Sequence, residues 1–125
     1  MFRRIAAVGL IALAFTAPAA QAHHSYAMFD RSKTVTLNGT IRQFQWTNPH
    51  SWIQLTVPND AGGTDEWSIE MGSPFELLRV GWTTKTVKAG DKVSIQIHPV
   101  KDGTKGGGFV SGTDADGHPL GGKPS

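Results

Sequence analysis

The sequence predicts an all-β domain carrying one short helix. Five runs whose apolar residues alternate with polar ones mark strands, and a short capped helical segment falls between the third run and the fourth. The first run also breaks phase, as a strand does when it bends around a closing sheet. Strand, strand, strand, helix, strand, strand is the order of an OB-fold, so the expectation is a small five-stranded OB-like barrel; an open antiparallel sheet with a docked helix is the alternative.

The first strand is TVTLNGTIRQFQW, Thr34 to Trp46. Val35, Leu37 and Ile41 share one face, whereas Phe44 and Trp46 resume out of phase, which places a bulge near Arg42-Gln43. Gly39 permits a sharp bend there. After the turn Thr47-Asn48-Pro49, SWIQLTV puts Ile53, Leu55 and Val57 on one face of a second strand. Pro58 to Gly63 is a loop, and EWSIEM alternates Trp67, Ile69 and Met71 against Glu66, Ser68 and Glu70 as the third. Ser73-Pro74-Phe75-Glu76 has the capping-box form, and Gly81 is placed to end the helix. Val93, Ile95 and Ile97 are the inward set of the fourth strand, KVSIQIHPV. A flexible Gly106-Gly107-Gly108 then leads into a fifth over Phe109 to Thr113.

The two ends read differently. Arg3 and Arg4, the apolar run Ile5 to Thr16, and the small residues Pro18-Ala19-Ala20-Gln21-Ala22 read as an export signal cut after Ala22. Cleavage after Ala19 or Ala20 is the alternative. The apolar run is shorter than the roughly 20 residues a spanning helix needs, so no transmembrane anchor is expected. The division is residues 1–22 as signal peptide, 23–33 as an N-terminal segment, 34–115 as the barrel and 116–125 as a flexible tail. Tyr26, Met28 and Phe29 suggest that the N-terminal segment docks, because a free tail seldom carries such large apolar residues. A periplasmic or secreted location follows.

Composition excludes several classes of function. Of twelve Lys and Arg, two leave with the signal, and the remaining ten balance ten Asp and Glu. With no basic run either, nucleic acid is not expected as a partner. The chain has no cysteine, so disulfides, thiolate ligands and cysteine nucleophiles are absent. No phosphate-cradling loop or nucleophile elbow is present, and Gly103 to Gly108 lacks the strand-to-helix setting of a P-loop.

The histidines are the candidates for chemistry. Cleavage after Ala22 would make His23 the amino terminus, where its α-amine and imidazole Nδ1 can chelate one ion together. His50 and His98 stand at the loops that an OB barrel brings together, and either could complete a tetragonal nitrogen site suited to Cu(II). His24 could supplement His23. The plain alternatives are a solvated amino-terminal stub for His23-His24, a turn residue for His50 and a strand end for His98; His118 in its DGHP turn is expected in solvent. Trp46 and Trp52 flank the NPH turn and could stack on a ligand, although a small barrel also needs such residues for its core. Glu66 and Glu70 share one strand face and read as a solvated outer surface.

HHSYAMFD (23–30), TVTLNGTIRQFQWTNPHSWIQL (34–55), EWSIEMGSP (66–74), KAGDKVSIQIHPVKDG and GGFVSGT together resemble a family of small exported bacterial proteins of unknown function. The resemblance implies a single-domain, signal-bearing protein and assigns no activity or ligand. The functional expectation is therefore a small periplasmic binding protein, with Cu(II) held through His23 and His50 or His98 as its sharpest form. A metal-free module that binds a small cell-envelope ligand or an envelope protein through Trp46 and Trp52 is the second reading. A mono-copper redox enzyme would share the terminal histidine but has no further feature in its favour.

Overall fold

The computed structural model describes residues 27–122. The segment expected as an export signal, residues 1–22, and His23, His24 and Tyr26 lie outside the described residues. Five strands, β1 (Val35–Gln45), β2 (Trp52–Pro58), β3 (Thr64–Glu70), β4 (Lys92–Pro99) and β5 (Gly106–Asp114), enclose a barrel, and the helix α1 (Pro74–Arg79) lies between β3 and β4. The strands close in the order β1-β2-β3-β5-β4, with β4 returning to β1. This is the expected β-β-β-α-β-β barrel of the OB type.

The alternation fills the interior as read. Leu37, Ile41, Ile53, Leu55, Ile69, Val93, Ile95 and Ile97 are buried, joined by Met71, Leu77, Trp82 and Val87. The phase break in β1 is a register shift between Ile41 and Gln43 against β2, so Phe44 and Trp46 can still pack on the core. Gly39 serves close approach: a Cβ there would stand 2.5 Å from the Thr56 carbonyl oxygen. The capping box also forms, with the Glu76 amide donating to Ser73 Oγ (3.2 Å) and the Ser73 amide to Glu76 Oε2 (3.0 Å). Leu77 is the buried residue of α1, while Leu78 and Val80 remain exposed.

Two segments depart from expectation. Gly106-Gly107-Gly108 is not a flexible connection but the start of β5, paired in parallel with Ser68 to Glu70 of β3 and antiparallel with His98 and Pro99 of β4. Three strands meet there at distances that side chains would prevent. The stretch expected as a flexible tail folds back as far as Gly122: Pro119 bridges Thr113, the Leu120 amide donates to the Gly112 carbonyl (2.9 Å), and Leu120 packs on the core.

The described part of the N-terminal segment, from Ala27, docks through its backbone and Phe29. The Asp30 amide donates to the Pro99 carbonyl and the Lys101 amide to the Met28 carbonyl, both at 2.8 Å. Phe29 is half-buried, whereas Met28 is half-exposed. Asp30 then closes a turn, accepting the Ser32 hydroxyl (2.5 Å) and amide (3.1 Å). The Ser32 hydroxyl, chiefly, holds the Asp30 carboxyl below its usual range, with the Ser32 amide and Lys33 acting the same way. A carboxyl lowered on folding stabilises above its unfolded value of about 3.9 and loses that contribution as pH falls through the folded value. The Ser32 amide resonance is accordingly expected to stay constant at neutral pH and to move only below about pH 4. Asp30→Ala should remove the movement; its persistence in the variant would assign it elsewhere.

Candidate functional site

Beside β3, β5 and β4 lies a cleft of about 400 Å³ whose lining includes Phe29, His50, Glu70, His98, Gly108 and Phe109. Its floor follows from register. Trp52 of β2 pairs with Glu70 of β3, Glu70 with Gly108 of β5, and Gly108 with His98 of β4. Because Ile69 and Ile97 point into the core, Glu70 and His98 face outward on either side of a glycine. Gly108 leaves a gap in that row, and the Phe29 ring borders it: a Cβ on Gly108 would lie 3.1 Å from the ring.

Both imidazoles are oriented by the backbone. His98 Nδ1 lies 2.8 Å from the Lys33 carbonyl oxygen, and His50 Nδ1 lies 3.1 Å from that of Met71. A carbonyl only accepts, so each bond places a proton on Nδ1 and leaves Nε2 of the neutral ring with its lone pair. The same outer bond orients histidines that bind metals through Nε2. His50 itself is held by strand-like pairing around its neighbour, since the Ser51 amide donates to the Gly72 carbonyl and the Met71 amide to that of Ser51, each at 2.9 Å. His50 Nε2 then faces Glu70 Oε1 at 3.6 Å, and the Glu70 side chain is only 13% exposed.

The glutamates thus divide. Glu66 lies on the solvated face, accepting from Arg42 Nε (2.9 Å) and Thr56 Oγ1 (2.8 Å), as the alternation suggested. Glu70 is recessed in the cleft, so reading both as a solvated face was correct only for Glu66. Glu76 adds a second carboxylate to the lining, tied to its capping role.

His50 and His98 therefore share one cleft. With Glu70 they do not form a tight triad, because His98 stands two inter-strand spacings, about 9.5 Å, from Glu70 along the sheet. Among the described residues, the tight cluster of ligand-type side chains is Asp114, Asp116 and His118. That cluster is an exposed turn in which one Asp114 oxygen accepts the Asp116 and His118 amides, each at 2.9 Å. Neither Trp46 nor Trp52 lines the cleft, although Trp52 is the cross-strand neighbour of Glu70. Trp46 stacks edge-on against Phe44 with ring centres 5.8 Å apart, and Trp52 is half-buried on β2. Phe29 and Gly108 carried no sequence motif as site residues; the docking expected of 23–33 was the signal that could have placed Phe29 here.

No curated protein matches the chain. Among solved structures it is similar to a mitochondrial single-stranded DNA binding protein from S. cerevisiae, at 14% identity over 66% of this chain and 94% of that one, with a TM-score of 0.48. The exclusion of nucleic acid, drawn from the balanced charge, is withdrawn. Net charge describes the whole chain, whereas single-strand binding rests on one groove and its stacking surfaces. A family model matches residues 10–109, and the chain belongs to the family of unknown function DUF6152.

Proposed function

We propose that this is a periplasmic copper-binding protein that sequesters or hands over Cu(II). Export and cleavage after Ala22 give His23 as the amino terminus, and its amine and Nδ1 chelate the ion. Nε2 of His50 or His98 completes a tetragonal nitrogen site of the kind Cu(II) favours. His24 is the supplementary ligand.

The observation that carries this reading is that the N-terminal segment is itself part of the cleft. The Lys33 carbonyl orients His98, and Phe29 borders Gly108 between His98 and Glu70. From Ala27, the first described residue, His23 is four residues away, an extended reach of up to about 14 Å. The lining of the cleft begins two residues beyond Ala27, at Phe29. Affinity falls with pH as the amine and imidazoles take up protons.

The test is a Cu(II) titration with electron paramagnetic resonance on protein beginning at His23, beside a variant with three alanines ahead of it, which keep both histidines clear of the first three positions. One-to-one binding with nitrogen couplings is expected, weakened about 100-fold or more by the added alanines, since even outer partners of a metal site are worth 10–100-fold. His50→Ala or His98→Ala should weaken it about 10-fold or more. Equal affinity in the native and extended proteins would overturn the terminal-histidine site.

A further inference from the structure

We infer that His50 and Glu70 form a two-ligand chelate for a divalent first-row metal ion that operates without the amino terminus, with Glu70 as a metal ligand. The inference rests on the cleft being a metal site, but not on His23 being its ligand. In the neutral ring the Met71 carbonyl holds the His50 proton on Nδ1, and the Nε2 lone pair then faces the Glu70 carboxylate across 3.6 Å. Positive charge between its members stabilises such a pair: a proton on Nε2 makes it an ordinary His50–Glu70 ion pair, and a metal ion can take the proton's place.

The spacing fits a metal ion. Ligands each about 2.0–2.2 Å from an ion at a tetrahedral angle stand about 3.3–3.6 Å apart, which matches the His50–Glu70 separation without rearrangement. Glu70 accepts no hydrogen bond from any donor among the described residues, and it is recessed enough to limit competition from water. His98 lies across the Gly108 gap and does not come within ligating distance of this pair, so the chelate rests on His50 and Glu70. Nitrogen and carboxylate donors without sulfur suit Cu(II) or Zn(II) and are poorly matched to Cu(I).

Zn(II) is the probe, because it is redox-silent. Calorimetric titrations would compare the protein beginning at His23, the alanine-extended protein, and Glu70→Gln in the extended background. The extended protein is expected to bind one Zn(II), and Glu70→Gln to weaken that binding about 10–100-fold with thermal stability retained. Co(II) absorption in place of Zn(II) should report loss of the carboxylate donor in the same variant. No Zn(II) binding by the extended protein, or binding unchanged by Glu70→Gln, would overturn the chelate while leaving the terminal site standing. Equal Zn(II) and Cu(II) binding by native and extended proteins, lost on Glu70→Gln, would establish the chelate and remove His23 from the site. His118→Ala should leave the titration unchanged, and loss of binding there would assign the ion to the Asp114 turn instead.

Discussion

Replacing Trp82 with alanine is expected to lower the stability of the fold by about 3–5 kcal/mol, the range for truncating a buried aromatic. Trp82 is 3% exposed, although it lies outside every strand and helix. Its ring meets Phe109 of β5 edge-on at 5.3 Å and Phe44 of β1 at 5.9 Å. The returning tail lies against it as well, with the Gly121 backbone at the indole and the Gly122 amide bonded to the Val80 carbonyl (2.6 Å). Truncation would therefore leave a void where the helix loop, two strands and the tail meet, a void that these separately anchored elements cannot jointly close. Chemical denaturation followed by circular dichroism measures it, and a loss below about 1 kcal/mol, usual for surface sites, would show that the indole is not structural.

Gly107→Val is expected to cost about 3 kcal/mol or more, at or above the upper end for overpacking, and to disable the cleft with it. A Cβ at Gly107 would lie 2.5 Å from the His98 carbonyl oxygen and 2.7 Å from Ile97 Cδ1. A backbone oxygen cannot swing aside as a side chain can. β5 would have to leave β4 at the point where it also pairs with β3, moving His98 and Gly108 together. The variant should lose both stability and metal binding. Gly63→Ala is the matched control: its Cβ would meet only the Asn59 side chain, at 3.7 Å, and the change should stay within about 0.5 kcal/mol. Equal effects of the two substitutions would remove the closure of β5 from the account of the site.

Periodicity made most of the fold legible. The inward sets of β2, β3 and β4 follow from alternation, because a strand's side-chain period is fixed by its backbone whatever the rest of the chain does. The break between Ile41 and Phe44 likewise declared the bulge, and Ser73 with Glu76 declared the start of α1, since a capping box is satisfied within four residues. The glycines were less legible. Gly106-Gly107-Gly108 has the composition of a flexible connection, yet it is where three strands approach most closely. Composition cannot distinguish a glycine used for freedom from one used for proximity.

The candidate site divides in the same way. His50 and His98 stood out by residue type and by their positions at the loops of the expected barrel. Glu70 did not, because alternation gives a residue's face but not its neighbours across the sheet. Trp46 and Trp52 stood out as well, and the bulge and the core drew Trp46 inward instead. By itself the sequence determined the order of the elements, the bulge, the helix start and the core, all set by spacings of a few residues. Only the tertiary structure decided that Glu70, Gly108 and His98 form one row, that Phe29 borders it, and that the tail returns to Trp82. Those neighbours are set by the register in which distant strands close the barrel, and that register is a property of the whole sheet.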